Sequence, residues 1–460
     1  MRGAELLSLC KDALARAGEP EAEVLARSST RGCARFSIGE LSQHMVIDEP
    51  SVVVRVASGS RIAEAETSVL DVNAIVLAIA TASTSARVVP ETEGWKGFAG
   101  ASKESGALPR FQEETSACTP EERADLLAPA MKRVRDAGLI SAGMLETTTS
   151  SLAVATSRGC ARSFDGTIAN FKIWALETPG AGGAAGFGAH MTRDVRALRI
   201  LEESERAVAM CTLGKNPGSL DEGEYDVVME PHAMADLVEW LSTTAFGAAE
   251  VEQGTSCMRL GERITGEAIN FVEDPQDDTE TGFGVPFDRE GTTCQRVSLI
   301  ERGVAKSVLY DRSLAARMGM ESTGNALVSA LDGPSAGAAA IHMGGGDAAS
   351  VEELISGIDR GLYICRLHYV NGLLDTRRAV MTGLTRDGCF LVEKGKIVRA
   401  VGNMRFTDSF IDALARADGI TRRRVAVPTW WSDAGALVVP GVRMRALRFN
   451  GKSQAPPQLE

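Results

Sequence analysis

The most constraining feature of the sequence is a change of pattern near residue 220. Before it, apolar residues at helical spacing alternate with β-branched stretches such as Ser51 to Ala57. A helix is predicted over Thr119 to Ala137, because Thr119 supplies an N-cap, Pro120 suits the first helical position and two glutamates follow. After Phe283, short apolar alternations are separated by glycine-containing turns, which is typical of antiparallel strands.

These patterns predict an α+β fold with two domains. Residues 1–220 are expected to form an N-terminal α/β domain with a mixed sheet and helices, and residues 221–460 a C-terminal, largely antiparallel β domain. The polar turn cluster from Gly214 to Gly223 marks the predicted boundary. Strands and helices do not alternate regularly, which argues against a doubly wound parallel sheet.

Charge and apolar patterning exclude two classes of partner. The net charge is −12, whereas a nucleic-acid binder needs a clustered basic surface. The first segment carries Glu5, Lys11 and Asp12 within its apolar pattern, which does not match a secretory signal, and no uncharged apolar stretch is long enough to span a membrane. Nine cysteines, an odd number, are therefore interpreted as reduced thiols in a cytoplasmic protein.

The spacing of the histidines shows whether the chain carries the commonest zinc-binding motif. There are five, none is followed by glutamate, and no two lie within a few helical turns of each other, so an HExxH site is absent. Cys365 and His368 form one compact pair, but an offset of three residues in a strand points them to opposite faces. No metal ligand is predicted in this chain.

Three further motifs are weak. Ser335 lies in a G-x-S-x-G string, but a nucleophile elbow needs a strand before the serine and a helix after it, and the neighbours favour a loop. Residues 180–185 fit a dinucleotide fingerprint without its parallel α/β context. The string Arg-Gly-Cys-Ala-Arg occurs twice, at 31–35 and 158–162. The two copies are interpreted either as thiols or arginines that act together or as two strand or hairpin starts with similar residues.

The C-terminal half carries a set of motifs whose order and spacing resemble the TldD/PmbA family, once called modulators of DNA gyrase. The resemblance extends over roughly Glu230 to Val425. The motifs are Phe283 to Gly291 (FGVPFDREG), Leu299 to Gly303, Ser322 to Asn325, Thr382 to Gly388 and Val392 to Ile397.

The resemblance implies a relation to zinc metallopeptidases built from two subunits. In that family a TldD-type chain holds zinc with HExxxH and a later cysteine, whereas a TldE/PmbA-type chain lacks both and completes the chamber that admits peptides. Aligned with the motif, Glu239 replaces the first histidine, Trp240 the glutamate and Thr244 the second histidine, and no cysteine follows Cys389. The comparison implies no catalytic residue, metal ligand or cofactor in this chain.

The expected function is therefore a metal-free, TldE/PmbA-like subunit that forms a heterodimer with a zinc-bearing TldD-like homologue and encloses a peptide or peptide-like substrate. Arg386 and Arg405 are candidate substrate contacts, because a guanidinium binds carboxylates with two hydrogen bonds; a structural ion pair at a turn is the alternative. The segment from Thr382 to Asp387 resembles a subgroup found in natural-product settings.

Two other functions stay open. The chain could act without a peptidase partner, as a homodimeric binding protein or a biosynthetic tailoring enzyme with a repurposed cleft. The other alternative is a hydrolase that uses Ser335 as its nucleophile.

Overall fold

The computed structural model describes residues 1–101, 108–178, 183–329, 333–428 and 435–452. Two large β-sheets, each packed against helices, organise these residues, and the α+β prediction is confirmed. The predicted boundary at residue 220 falls between the last helix of the N-terminal part and the first strand of the second sheet. The division into two domains there stays a prediction.

The first sheet is six-stranded and carries its helices on one face. Its strands are β1 (Ala22–Ser37), β2 (Glu40–Ser58), β3 (Arg61–Thr67), β4 (Ile140–Thr156), β5 (Ala161–Leu176) and β6 (Ala185–Thr192). The helices are α1 (Gly3–Ala17), α2 (Val72–Ala86), α3 (Glu113–Ser116), α4 (Pro120–Asp136) and α5 (Ile200–Leu213), with a short 3-10 helix at Val195–Ala197.

The strand order β3-β2-β1-β4-β5-β6 corrects one expectation for the N-terminal half. A mixed sheet was expected there, but every pairing given for these six strands is antiparallel. The physical reason is the connections, because β1–β2, β2–β3 and β4–β5 are joined by short turns that reverse the chain and cannot make parallel pairs. The helix predicted from Thr119 is confirmed as α4, with a capping box between Thr119 and Glu122.

One face of this sheet is apolar and the other is polar. On β5, Phe171 and Ile173 are buried against α4 and α5, and on β1 Val24 and Ala26 are buried against α1 and α2. Since side chains alternate along a strand, the intervening residues point to the opposite face, toward the second sheet. That face carries Lys172 and Trp174 on β5.

The second sheet contains eleven strands, and a two-stranded hairpin lies beside it. The helices of this half are α6 (Pro231–Ala245), α7 (Ala248–Glu252), α8 (Arg312–Met318), α9 (Val351–Ser356) and α10 (Phe410–Ala415), with a 3-10 helix at Thr376–Arg378. The strands are β7 (Gly223–Met229), β8 (Phe271–Glu273), β9 (Val297–Glu301), β10 (Val304–Ala305), β11 (Ala326–Ser329), β12 (Gly333–Ala336), β13 (Ile341–Met343), β14 (Arg360–Asp375), β15 (Val380–Glu393), β16 (Lys396–Ala400), β17 (Met404–Ser409), β18 (Ala417–Pro428) and β19 (Ala436–Lys452).

Most pairings of the second sheet are antiparallel, as predicted, and the parallel pairs β7–β14 and β13–β19 make it mixed. α6 lies on this sheet and buries Leu237, Val238 and Leu241 in the largest apolar core of the described residues. Not every apolar alternation after Phe283 forms a strand: Lys306 to Tyr310 makes only a single bridge, at Leu309.

The sequence led us to expect unpaired cysteines and no membrane-spanning segment. All nine cysteines are free, and eight of them are buried. Over the described ranges, no helix combines the length and the apolar character that crossing a membrane requires.

Candidate functional site

The candidate site is the region, called the cleft here, where the polar face of the first sheet meets the second half of the chain. Register places Glu146 of β4 opposite Asn170 of β5, and Met144 opposite Lys172, so these side chains share the polar face. Facing them, α6 presents His232, Asp236 and Glu239, whose spacing of four and three residues aligns them along one side of the helix.

The start of α6 is fixed to the N-terminal half by a buried carboxylate. Glu230, the residue before the helix, accepts a hydrogen bond from the Tyr363 hydroxyl and pairs with Arg206 of α5. His232 follows and contacts the edge of the Phe187 ring of β6, with 5.3 Å between ring centroids. These contacts hold the polar side of α6 against β5 and β6.

Charge is concentrated in this part of the cleft. Burial lowers the pKa of Lys172, and the nearby Arg366 lowers it further, whereas Glu146, Asp236 and Glu239 oppose both effects. Burial also lowers the pKa of His232 well below its usual value, with Arg206, Arg366 and Lys172 acting in the same direction. His232 is therefore neutral at physiological pH.

The three positions aligned with the zinc motif are occupied by residues with other contacts. The Trp240 indole N–H donates to the carbonyl of Val370 at 2.8 Å, which directs the ring onto β14. The Thr244 hydroxyl donates to the Trp240 carbonyl at 2.8 Å, within the helix itself. Glu239 is buried and could supply one carboxylate ligand, but a zinc site requires three or four protein ligands.

A buried ion pair adjoins the polar side of α6 and joins the two halves of the chain. Asp387 of β15 accepts hydrogen bonds from Arg366 of β14 at 2.6 Å and from the Trp174 indole of β5 at 2.9 Å. The Arg366 guanidinium also lies over the Phe187 ring, 4.5 Å from its centroid. Asp387 has φ of +52°, a conformation that Asp and Asn tolerate better than most residues.

The two predicted substrate contacts occupy different environments. Arg386 is only 16% exposed, and its Nε lies 3.8 Å from Asp387 Oδ1, so it borders the buried ion pair. Arg405 of β17 is exposed, lies opposite Leu384 in the register of β15, and its Nη1 is 3.4 Å from the Thr382 hydroxyl. Arg386 of β15 thus lies beside the buried ion pair, whereas Arg405 lies in an exposed position on the neighbouring strand β17.

At the other end of the polar sheet face lies a cavity of about 220 Å³. Its walls come from both halves, including Phe164 and Ile168 of β5 and the stretch from Phe283 to Arg289, which belongs to the FGVPFDREG motif. Asp288 closes one side and accepts backbone N–H groups of Glu290, Thr292 and Ala326. That motif thus builds a wall between the two halves.

Two buried acids near this cavity are protonated more readily than usual. Burial raises the pKa of Asp288 to about 8, and the neighbouring Glu290 adds to the effect. Burial raises the pKa of Glu273 to about 7, although Ala339, Ala340 and Asn325 donate hydrogen bonds to its carboxylate. Both groups take part in the loop structure around the cavity.

Other residues suggested by sequence motifs are not brought together. Ser335 lies in β12, its hydroxyl faces the Ala336 carbonyl at 3.3 Å, and the next described element after the hairpin is strand β13 rather than a helix. The elbow geometry that a Ser335 hydrolase requires is missing there. Cys365 packs beside Met210, whereas the His368 ring contacts Tyr369. Of the dinucleotide-like string, residues 180–182 lie outside the described residues.

The repeated Arg-Gly-Cys-Ala-Arg has two unrelated structural roles. Gly32 lies in the middle of β1, where a Cβ would come within 2.5 Å of the buried Arg123 guanidinium. Gly159 lies in the turn between β4 and β5, with φ of +92°. The two copies therefore have glycine for different steric reasons, as expected for strand and hairpin segments without a shared function.

The site residues contributed by the N-terminal half, Glu146, Lys172 and Trp174, were missed by sequence reasoning. The signal that could have found two of them is the Phe171-Lys172-Ile173-Trp174 alternation, where a lysine interrupts an apolar strand. Across the described residues, no group of three or more His, Cys, Asp or Glu side chains is arranged to hold a metal ion. The cleft combines charged side chains, such as Lys172 and Glu239, with the aromatic rings of Trp174 and Phe187.

Comparison with known proteins agrees with the motif resemblance. Residues 222–451 match the model of the PmbA/TldA metallopeptidase C-terminal domain. A metalloprotease of Methanothermobacter thermautotrophicus is 28% identical over 242 residues, covering 52% of this chain and 51% of that protein. A zinc metalloprotease TldD homologue of Saccharolobus solfataricus is 32% identical over 171 residues, 36% of this chain and 37% of that protein.

Solved structures resemble the chain over nearly its full length. TldE from Thermococcus kodakarensis superposes with a TM-score of 0.86 at 20% identity, over 96% of this chain and 100% of that one. A protein from Thermotoga maritima that has been proposed as a modulator of DNA gyrase superposes with a TM-score of 0.84 at 18% identity, over 96% of this chain and 99% of that one. The structural likeness establishes the fold, whereas the sequence matches span about half, or less, of the curated relatives.

Proposed function

Since the chain belongs to the PmbA/TldD metallopeptidase family, we propose that it acts there as a subunit without a zinc centre of its own. In this proposal it pairs with a zinc-bearing, TldD-like homologue, and the two together enclose and process a peptide or peptide-like substrate. Zinc belongs to the partner, and this chain contributes walls and binding groups to the shared chamber.

The observation that carries the proposal is the chemistry of α6. The family holds zinc on this helix, and here Trp240 occupies the position of the catalytic glutamate with its indole bound to the Val370 carbonyl. Tryptophan has no basic atom to take a proton from water and no lone pair for zinc. Thr244, bonded to the helix backbone, is equally unsuited.

The helix that lacks the motif is nevertheless firmly placed, which supports a role in an assembly. Glu230 ties its start to Arg206 and Tyr363, and its far side is buried in the core at Leu237 and Leu241. A helix held this way keeps a polar wall of His232, Asp236 and Glu239 toward the cleft.

Arg386 and Arg405 are proposed as contacts to a carboxylate of the substrate. Arg405 is exposed on β17, beside Leu384 of β15, so its guanidinium is accessible to a ligand. Arg386 borders the buried Arg366–Asp387 pair and is accessible over only 16% of its side chain. We therefore assign the outer, first contact to Arg405 and the inner contact to Arg386.

The proposal is tested by co-expressing this chain with a TldD-type homologue of the same genome that retains HExxxH. The two chains should co-elute from a sizing column as a heterodimer, and hydrolysis of an unfolded protein such as casein should require both. If the chain forms a stable homodimer that never binds the homologue, the alternative of a stand-alone binding protein or tailoring enzyme replaces this proposal.

The arginine assignment is tested in the same assembly. Arg405→Gln should raise KM about tenfold with kcat little changed, since it removes one charge-assisted hydrogen bond to bound substrate. The matched control is Arg302→Gln, an arginine that is 73% exposed and paired with Glu267. Equal KM values for the Arg405 variant, the control and the unmodified assembly would remove Arg405 from the site.

A further inference from the structure

The cavity at the far end of the polar sheet face has a floor built from neighbouring positions of β4 and β5. Three cross-strand pairs line it, Thr148–Ile168, Ser150–Gly166 and Leu152–Phe164. The middle pair carries almost no side chain, because Gly166 has none and Ser150 ends in a single hydroxyl. The larger residues on either side therefore surround a space of about 220 Å³ that the described residues leave unfilled.

The second half of the chain supplies an apolar wall above this floor. Phe283, Val285 and Leu327 line it, and most of the cavity surface is apolar. Val285 and Leu327, like Phe164 and Ile168 on the floor, are only half-buried, and the cavity is partly open to the outside among the described residues. Removing apolar surface from water is favourable, so a group that covers these side chains gains binding free energy.

The guanidinium groups of the lining have their partners within the protein. Arg110 donates to backbone carbonyls, with 3.2 Å between its Nε and the Gly284 oxygen, and Arg289 Nη2 donates to Glu64 at 2.6 Å. The nitrogens of Arg110 and Arg289 that lack a partner among the described residues have essentially no accessible surface, so they do not face the cavity. Arg27 also has a partner. These three cations are therefore not free to bind an anion in the cavity.

Other polar groups of the lining are likewise engaged. Arg193 donates to the carbonyl of Thr279 at 3.0 Å, and the Thr167 hydroxyl donates to the carbonyl of Arg193 at 2.9 Å. The Cys294 thiol donates to the carbonyl of Gly324 at 2.8 Å. A charged or strongly polar ligand would lose its hydration here and find few partners in return, which disfavours its binding.

The size of the cavity limits the ligand further. Its volume of about 220 Å³ exceeds that of a dry cavity of about 150 Å³ known to accept benzene. A group as large as an indole ring therefore has room, and a branched aliphatic group of leucine size fits with space to spare. The lining thus selects an uncharged apolar group in this size range.

The position of the cavity indicates what carries that group. On the same sheet face, the pair Glu146–Asn170 lies two residues along each strand from Thr148–Ile168, a separation of about 7 Å. Side chains on one face of an extended peptide are spaced by the same distance. A peptide with one apolar side chain in the cavity would therefore place its polar backbone beside Glu146 and Asn170, next to Lys172 of the cleft.

We propose that this cavity binds one uncharged apolar side chain of a peptide, between leucine and tryptophan in size. The side chain contacts both halves of this chain, with Phe164 on the first sheet and Phe283 in the second half. The peptide character of the ligand rests on the proposed function, whereas the preference for an apolar group follows from the lining alone.

The test measures peptide binding to the full chain without a partner, by ligand-observed NMR titration. The probes are uncharged peptides, acetyl-Gly-Gly-X-Gly-Gly-amide, in which X is Trp, Leu or Ser, together with free indole. The Trp and Leu peptides should bind about tenfold or more tightly than the Ser peptide, because only their side chains cover the apolar lining. Binding of free indole without a preference among the peptides would overturn the assignment to a peptide side chain.

Two variants locate the binding. Thr148→Phe fills the cavity from β4 and should reduce binding of the Trp peptide to the level of the Ser peptide. Ile168→Ala enlarges the cavity and should raise the preference for Trp over Leu, which keeps the test decisive if Thr148→Phe does not fold. The matched control is Thr81→Phe at an exposed position of α2, which should bind as the unmodified chain does. Circular dichroism establishes that each variant is folded.

The proposal is overturned if the three peptides bind equally or not at all, or if the apolar preference is unchanged in both cavity variants. Since the titration contains no partner, such a failure would leave the proposed heterodimer standing. Conversely, failure of the heterodimer to form would not alter the titration.

Discussion

Replacing Asp387 with alanine should destabilise the contact between the two halves of the chain on the order of 5 kcal/mol. Arg366, whose side chain is only 13% exposed, would keep its charge without its carboxylate partner, which costs about 3 kcal/mol or more. The Trp174 indole would lose its acceptor, at about 1 kcal/mol, and alanine at φ of +52° adds about 1 kcal/mol.

Asp387→Asn separates these contributions. Asparagine tolerates the left-handed backbone and keeps one oxygen acceptor. The expected loss of stability is therefore smaller, on the order of 2 kcal/mol, because the hydrogen bond from Arg366 would go to a neutral oxygen rather than to a carboxylate. Native-state hydrogen exchange measures the effect locally, in peptides from β5, β14 and β15. Protection there should fall by about three to four orders of magnitude in the alanine variant and by about one to two in the asparagine variant.

Two control variants test whether the effect comes from the buried ion pair. Asp136→Ala breaks only the exposed pair with Lys132 and should leave exchange in these strands unchanged. Adding Arg366→Met to the alanine variant removes the orphaned charge and should recover part of the protection. The reasoning is refuted if Asp387→Ala exchanges like the unmodified chain, or if alanine and asparagine cost the same.

Three other predictions concern the buried groups of the fold. Asp288→Asn should cost about 1 to 3 kcal/mol in urea unfolding, because both oxygens of the Asp288 carboxyl group accept backbone N–H groups and an amide nitrogen cannot accept one. In the folded chain the pKa values of Glu273 and Asp288 are about 7 and 8, against 4.5 and 3.8 for the unfolded chain, so the folded state binds more protons and the thermal unfolding midpoint should fall as the pH rises to about 8. Glu273→Gln should make this fall smaller. A midpoint that rises with pH over this range would contradict the prediction. Gly32→Ala should cost about 2 kcal/mol, since its Cβ would meet the buried Arg123 guanidinium; a thermal midpoint equal to that of Gly402→Ala, where nothing lies within 4 Å and φ is not positive, would exclude this contact.

The elements best predicted from sequence are those with strong local signals. α4 has both the capping box and the first-turn proline that the sequence indicated. The family resemblance rested on turn motifs of the second half, where glycines fix local backbone shape. These features depend on neighbours in the chain and can be recognised without tertiary information.

The long strands of the first sheet were underestimated for a tertiary reason. β1 runs from Ala22 to Ser37, but its centre, Ser28 to Thr30, is polar and lacks an apolar alternation, so the local sequence does not indicate a continuous strand. Pairing with β2 on one side and β4 on the other stabilises the polar centre through backbone hydrogen bonds. Local sequence does not reveal such pairing.

The site was predictable only in part for the same reason. Inspection of α6 identified Glu239, Trp240 and Thr244, because a known motif aligned there. Lys172 and Asp387 reach the cleft from strands more than two hundred residues apart. Contacts between distant segments cannot be derived from spacing.

The central claim, that this chain has no zinc centre of its own, is tested most directly by metal analysis of the purified chain without a partner. After dialysis against a weak chelator, elemental analysis should find far less than one zinc per chain, and peptide hydrolysis should be absent until a zinc-bearing TldD-type homologue is added. One tightly held zinc per chain together with hydrolysis by the chain alone would contradict the account.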